Sequence, residues 1–578
     1  MGSRRQEPSA RKRTSSLTSR WNTDPVPEGS ADAYGCAGSP VSGSSPNRGL
    51  REQRCMGGNM ARNHRLLFDE LMAVRRDAEP WVVDHQPIAV AAADDKIAPS
   101  DIADAAARAA TLFESEGVGV GDRCVVWLDS VVDVLVVVSG LSAVGAVPIL
   151  ISPTLDAETV GHMLAPTTGV DRVITTGARV ASYAAVGDGR RLDDWSVQAG
   201  RVATMSPRTA PAVALPDSAP YVVTHTSGTT GVPKLVEYTR AVIDYHGYLR
   251  ALGHRVFRMK GYSVFALSPS HGATVVALLF SLRRNSPLIL LAGTDPVTVS
   301  RIVGTWRPTF LETVPNTYMV WEDLADAGVF RSVRWFYATF DVLHPATVQR
   351  FLRGSGRKFA AFFELYGQSE LGAISARMHV KGFSRSRERS DLGRRMKGHP
   401  VGRGVPGVTR IRIVDADGAK VSAGTPGRIQ VRTKALFSTY PNRPEAARAG
   451  RSDGGWWDTG DWGEKDRFGR LTLIDRQVDR VSTVPSSIAV EDLLLERMPW
   501  LLEVVVLEQN GRIVPVAVTR EGAFDENAWR EAVADLSGFD SPVVVDFASL
   551  PKTATGKIRR SVLAARIADV SGSPASTK

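Results

Sequence analysis

From about residue 100 onward, apolar positions recur with two alternating periods. Helix-spaced stretches such as DIADAAARAATLFESEG give way to short apolar runs such as RCVVWL, and the pair repeats: an apolar helix leads to PILIS, and a helix from Asp156 leads to RVITT. After a Pro- and Ala-rich link near 205–219 the pattern resumes with YVVTH, a helix from Arg240, YSVFAL, a helix after His271, LILLAG, TFLETV, VRWFYAT and FAAFFELYG. Strands alternating with helical segments predict βα units and mostly parallel sheet. From about residue 408 the texture changes to short alternating strands, TRIRIVDADG and GRIQVRT, set off by glycine turns. The last hundred residues hold a helix (SIAVEDLLLERM), a strand pair, a helix (NAWREAVADL) and a strand (PVVVDFA). The expected fold is α/β: a large N-terminal domain of helix-flanked sheets with a β-rich subdomain, followed by a small α+β domain. No internal repeat is visible.

The 578 residues exceed what one core organises, about 250–300, so at least two domains are expected. Residues 1–59, rich in Ser, Gly, Pro and Arg without apolar periodicity, read as a disordered basic tail. The expected units are 60–477 for the large domain, 478–566 for the small one and 567–578 as a second tail. An apolar fraction of 43% and a charged fraction of 23% are those of soluble globular chains.

The net charge of +10 does not make this a nucleic-acid binder, because nine Lys/Arg against five Asp/Glu sit in the first 59 residues and the rest is spread thinly. There is no zinc-finger spacing, RNP-like motif or dominant basic helix. Three cysteines, Cys36, Cys55 and Cys124, supply neither a disulfide framework nor a metal cluster, which fits a reducing cytoplasm. The one long apolar run, from Val131, is broken by Asp133, Gly140, Gly145 and Pro148 and reads as a buried helix entering a strand, with no membrane insertion.

The candidate chemistry begins at THTSGTTGVPK, Thr224–Lys234. Glycines turn backbone N–H groups inward, hydroxyls add donors and Lys234 adds a charge, which together could cradle phosphate. It is not a P-loop, since Leu235 follows the lysine where Ser or Thr is required. Taken alone, such a run is also compatible with a loop that holds nothing.

Three further motifs follow in order: YGQSE (Tyr366–Glu370), the TGD of WWDTGDWG, and PKTATGKIRR. Together the four resemble the signature of the adenylate-forming superfamily of acyl-CoA synthetases, nonribosomal adenylation domains and firefly luciferase, over roughly residues 100–565. The resemblance implies ATP and Mg²⁺ as cofactors and activation of a carboxylic acid substrate at the α-phosphate, with pyrophosphate leaving. It assigns the β- and γ-phosphates to Thr226, Ser227, Gly228, Thr229, Thr230, Gly231 and Lys234. Glu370 would help bind Mg²⁺ and Ser369 would contact the α-phosphate. Tyr366 would stack on adenine, Asp461 would accept from the ribose hydroxyls, and Arg476 would hold ribose and phosphate. Lys557, carried by a mobile lid domain, would stabilise the transition state.

The chain also departs from that family. Its hinge reads DRQVDRVSTVP, with Val478, Ser482 and Pro485 replacing the usual acidic or basic hinge residue, a lysine and a glycine. Proline would crowd the tunnel through which pantetheine passes. In SPSHGATV, His271 stands where amino-acid-activating members carry an aspartate. ATFD, Ala338–Asp341, replaces the usual small pocket wall, so Thr339 and Phe340 would narrow the pocket toward a compact or aryl acid. These departures resemble a stand-alone amide synthetase, like the antibiotic-pathway ligases that join an aryl acid to an amine such as an aminocoumarin. His271 is a candidate to take the amine's proton, or else shapes the pocket. CoA is the alternative acceptor, as in an acyl- or aryl-CoA ligase, and the basic run KGFSRSRERSDLGRRMK could grip its phosphates. A non-catalytic ATP-binding relative is the remote alternative.

Overall fold

The computed structural model describes residues 65–572 apart from 227, 229, 230, 384–395, 478, 479, 521, 554 and 555. The tail 1–59, most of the basic run after Ser375, Ser227, Thr229, Thr230 and the hinge residue Val478 therefore lie outside the described residues.

Two sheets build the large domain. The first has six strands in the order 191–194, 170–175, 123–126, 147–150, 220–225 and 235–239. All neighbours are parallel except the last pair, a hairpin. The apolar run from Val131 forms the helix Val131–Ala143, buried at every position and capped by Ser130, which accepts from the Asp133 amide. Gly145, with φ of +85°, turns the chain into the strand Val147–Leu150. Asp133 inside that helix is satisfied by the amides of Ile88 and Ala89 and by the Trp195 indole N–H, which explains a carboxylate in an apolar run. No described helix is long and apolar enough to cross a membrane.

The second sheet has fourteen strands. Its parallel middle runs Ala361–Gln368, Trp335–Ala338, Phe310–Thr313, Ser263–Ala266, Leu288–Leu290 and Trp81–Val83. The β-rich stretch from residue 409 does not close on itself: its strands continue the same sheet, antiparallel, beyond Gly372–Val380 and His399–Gly404. Loops leaving the carboxyl ends of the parallel strands therefore meet on one side, where open α/β sheets hold ligands.

The small domain packs the helix Ser487–Arg497 on a three-stranded sheet of Leu501–Gln509, Arg512–Thr519 and Val543–Val544, around a core including Val490, Leu494, Val506 and Trp529. Its last helix, Arg560–Gly572, continues beyond residue 566, where the domain is expected to end. Helix 487–497 also faces the large domain across a buried charged seam. Asp492 sits between His344 Nδ1 at 2.7 Å and His399 Nδ1 at 2.8 Å. Glu503 lies 3.5 Å from His344 Nε2, while Glu364 pairs with His379 and lies 3.4 Å from His399 Nε2. Arg377 approaches Glu364 at 3.8 Å. Burial works against the charged imidazoles, but the carboxylates outweigh it, raising His344 well above its ordinary value and His399 to about 9.

Candidate active site

The glycine-rich segment is the loop of a hairpin between strands 220–225 and 235–239. Its neck is closed by the Thr226 amide donating to Lys234 O at 2.8 Å and the Lys234 amide donating to Thr226 Oγ1 at 3.0 Å. Gly228 has φ of +69°, and a Cβ there would lie 2.8 Å from Pro233 Cγ, so the bend admits only glycine. His225 anchors the loop from behind: its Nε2 accepts the Ser152 amide at 3.0 Å and its Nδ1 donates to Thr226 O at 2.8 Å. Both ring nitrogens are committed, and burial lowers its pKa, so it is a neutral brace. The ammonium of Lys234 lies over the Tyr440 ring, 5.0 Å from its centroid.

Tyr440 donates its hydroxyl to Glu370 Oε1 at 2.5 Å, fixing a buried carboxylate beside the loop. Among the described residues no group of three or more His, Cys, Asp or Glu could hold a metal ion. A magnesium ion at Glu370 would therefore take most of its ligands from substrate phosphates and water, as this oxygen-seeking ion commonly does, so the donor set fits. Ser369 presents its carbonyl to the Tyr238 hydroxyl at 2.6 Å.

Tyr366 donates to Asp461 Oδ2 at 2.6 Å, and Gln368 Nε2 donates to the same oxygen at 3.0 Å. Asp461 Oδ1 lies 3.8 Å from Arg476 Nε. Gln368, inside YGQSE, was not singled out from sequence, although its amide holds Asp461 and the Thr459 carbonyl together. Lys557 is inserted from the small domain with its side chain 14% exposed, its ammonium 3.7 Å from Asp341 Oδ1. Burial lowers its pKa, Asp341 and Asp461 oppose that, and Arg476 adds to it. Its loop is tied to the large domain by Asn316, which donates to Gly556 O.

These residues converge. Thr226, Lys234, Glu370, Asp461, Arg476 and Lys557 line one cavity of about 930 Å³, joined there by Gly228, Gly231, Ser369 and His271. Tyr366 lines a smaller adjoining cavity shared with Asp461, Arg476 and Lys557.

The cavity continues between the helix Arg240–Val256 and the parallel strands, with walls including Phe257, Phe340 and Phe363. Phe340 faces this space with φ of +82°, and its ring lies 4.5 Å from that of His271. His271, the residue before the helix Gly272–Arg284, is 4% exposed, and burial, then the neighbouring His225 ring and the charge of Lys557, lower its pKa to about 3. It is neutral and a weak proton acceptor, which suits a pocket wall better than a base. Arg250 and Glu312, an ion pair at this end, were not read from sequence. The signal was Glu312 itself, a carboxylate inside the apolar strand TFLETV. Pro485 is exposed and outside the cavity wall, and Ser482 Oγ donates to Glu508 Oε1 at 2.8 Å.

Fold and site together define an adenylate-forming enzyme. The chain belongs to the AMP-binding enzyme family, which matches residues 81–441, and it is an AMP-forming acid ligase. It is 34% identical to a 3-amino-2-hydroxy-4-methoxybenzoate diazotase of Streptomyces cremeus over 491 residues, 78% of this chain and 86% of the relative. It is 26% identical to a 3-hydroxybenzoate–CoA ligase of Aromatoleum sp. (strain CIB) over 497 residues, 78% and 88% of the two chains. The fold is that of ATP-bound MatB from Rhodopseudomonas palustris, with a TM-score of 0.72 at 21% identity, covering 87% of this chain and 99% of that one.

Proposed function

We propose that this enzyme uses ATP to activate a small oxyacid at the level of nitrite and delivers its nitrogen to the amino group of a substituted arene, as a diazotase, with an amine rather than CoA as acceptor. The observation that carries this reading is the contrast between two relatives that align over the same share of the chain: 34% identity to the diazotase against 26% to the CoA ligase. The aromatic walls beside the nucleotide loop and the compact shape imposed by Phe340 support an arene in the second half of the cavity.

The chemistry uses the same machinery as carboxylate activation. A nitrite oxygen attacks the α-phosphorus of ATP and pyrophosphate leaves. The amine nitrogen then attacks the nitrite nitrogen, and the N–O bond to AMP breaks, so AMP departs with that oxygen. The two amine hydrogens leave with the remaining oxygen as water, giving amine + nitrite + ATP → diazonium + AMP + pyrophosphate + water. Lys234, Arg476 and Lys557 would meet the phosphate charge, Lys557 at the reacting centre. Magnesium held at Glu370 would neutralise phosphate charge. His271 would shape the wall between the two halves.

A second reading is an aryl-acid ligase that activates the arene's own carboxylate and forms an amide or thioester, favoured by the CoA-ligase relative. Incubation with ATP, Mg²⁺ and 3-amino-2-hydroxybenzoate, with and without nitrite, separates the two. Nitrite-dependent pyrophosphate release and a product that couples to an azo dye are expected. Pyrophosphate release without nitrite, and a thioester once CoA is added, would hand the function to the second reading.

A further inference from the structure

We propose that Arg250, backed by Glu312 and assisted by Tyr337, is an anion anchor that recognises a carboxylate on the arene, deeper in the cavity than the reacting centre. Glu312 and Tyr337 lie within the strands Phe310–Thr313 and Trp335–Ala338, whereas the Lys557 loop contacts Asn316, beyond the carboxyl end of the first of these. All three residues line the cavity.

A buried ion pair is hard to justify as scaffolding. Desolvating two charges costs as much as their attraction returns, and apolar residues of similar volume commonly do as well. Here the neighbouring wall is already apolar, with Phe257, Phe363, Leu249 and Val276. The pair is also asymmetric toward the cavity: the Glu312 side chain is 1% exposed, Arg250 16%. Glu312 thus works as a positioning residue, accepting from both terminal guanidinium nitrogens, while Arg250, the more exposed of the two, lines the cavity and its buried Nε has no partner among the described residues. The guanidinium plane is packed over Phe265 and Phe280, 5.1 and 5.9 Å from the ring centroids. Burial lowers its pKa to about 10, which leaves it cationic at neutral pH.

The neighbours reinforce an anion preference. Burial raises the Tyr337 phenol against the opposing charge of Arg250, keeping it a neutral donor beside the guanidinium. His254, one helical turn beyond Arg250, is held neutral by burial and by the charge of Arg250, its pKa near 2. Its Nε2 has no partner among the described residues. A planar ring lying against Phe257 and Phe363, which touch each other edge to face, with a carboxylate on Arg250 would turn its opposite edge toward Lys557. Resting on the diazotase reading, that edge is the amino edge, so the arene's carboxylate is held for recognition and is not the group activated.

Binding without ATP or nitrite tests the anchor apart from turnover. Calorimetric titration with 3-aminobenzoate and with 3-aminobenzamide should show the unmodified enzyme preferring the acid by at least about tenfold, the scale of a hydrogen bond to a charged group. Arg250→Met should abolish that preference while leaving ATP affinity unchanged, which also reports an intact fold. If that variant fails to bind ATP, Arg250→Lys takes its place and should keep a weakened preference. Glu312→Gln should tighten the acid severalfold by removing the opposing charge, a change that a damaged pocket would not produce. A preference that survives Arg250→Met, or one abolished by Lys557→Ala instead, overturns the proposal and puts the carboxylate at the reacting centre. Loss of preference in Arg250→Met with no diazonium formed by the unmodified enzyme upholds the anchor and sinks the diazotase reading alone.

Discussion

Two of the buried charged clusters among the described residues behave differently. At the cavity end, Arg250 faces Glu312, and a guanidinium whose pKa is about 10 keeps its charge throughout the physiological range. At the domain seam, the chain Glu364–His399–Asp492–His344–Glu503 relies on imidazoles for its positive charge, and those can be discharged. A permanent charge suits recognition of a ligand that is always ionised. A titratable one makes a contact between the two parts of the fold that changes with pH, since the C-terminal subdomain carrying Lys557 is held by the very residues whose protonation can change.

The sharpest break in that comparison is Lys557→Ala. It removes one charge-assisted contact to developing phosphate charge, worth on the order of 3 kcal/mol or about a hundredfold in rate. Pyrophosphate exchange should fall by that factor, while arene binding and melting temperature stay unchanged, because the arene wall is built by the large domain. Near-normal exchange would remove Lys557 from the reacting centre.

The polar end of the cavity was legible because its candidate residues come in two short runs: the described part of Thr226–Lys234 in the hairpin loop, and Tyr366–Glu370 at the end of the strand Ala361–Gln368 and in the turn after it. The alternating apolar periods likewise gave most of the parallel strands, but not Trp81–Val83 or Arg191–Asp194, which are too short or too polar to stand out. The seam could not be read this way, since His344, His379, His399, Asp492 and Glu503 come from five separate elements and each looks like a solvated residue in its own window. Arg250 is similar: in YHGYLRALGHRV it sits among polar helix positions, and only the strand carrying Glu312 makes it buried. The positive φ of Phe340 was illegible because a bulky residue gives no sign that its backbone is left-handed. That the β-rich stretch extends the large sheet was illegible too, since alternation fixes strands but not their partners.

The next break is pH. Against the burial that lowers it, Asp492 across the seam and Glu364 within the large sheet raise His399 from its ordinary value of 6.5 to about 9, so the stability these contacts contribute is complete below pH 6.5 and is lost as pH rises through 9. Asp492 is lowered from 3.8 to about 2, so its contribution is present above pH 4 and is lost only as pH falls toward 2. The seam contacts are therefore strongest between about pH 4 and 6.5. Pyrophosphate exchange should decline severalfold from pH 6.5 to 9, while 3-aminobenzoate binding stays flat because Arg250 remains charged. His399→Gln should flatten the decline and lower exchange at pH 6.5. A parallel fall in arene binding, or an unchanged slope in the variant, would show that the two clusters are not independent.

The smallest expected effect tests the wall between them. Phe340 holds φ of +82°, a strain of about 1–3 kcal/mol for a bulky residue, and replacing it by glycine relieves that strain. The same change loses the ring contact with His271, about 0.5–1.5 kcal/mol, and adds about 0.5–1 kcal/mol of chain entropy to the unfolded state. These terms nearly offset, so Phe340→Gly should alter stability by no more than about 1 kcal/mol. The change should appear instead in size selectivity: with the ring gone, bicyclic amino acids such as an aminonaphthoate should gain on 3-amino-2-hydroxybenzoate in competition. Both carry the same carboxylate, so the anchor at Arg250 contributes equally and the ratio reports the wall alone. A loss of about 3 kcal/mol or more, the scale of a truncated core phenylalanine, with the size preference unmoved, would make Phe340 part of the core and leave the compactness of the pocket to other residues.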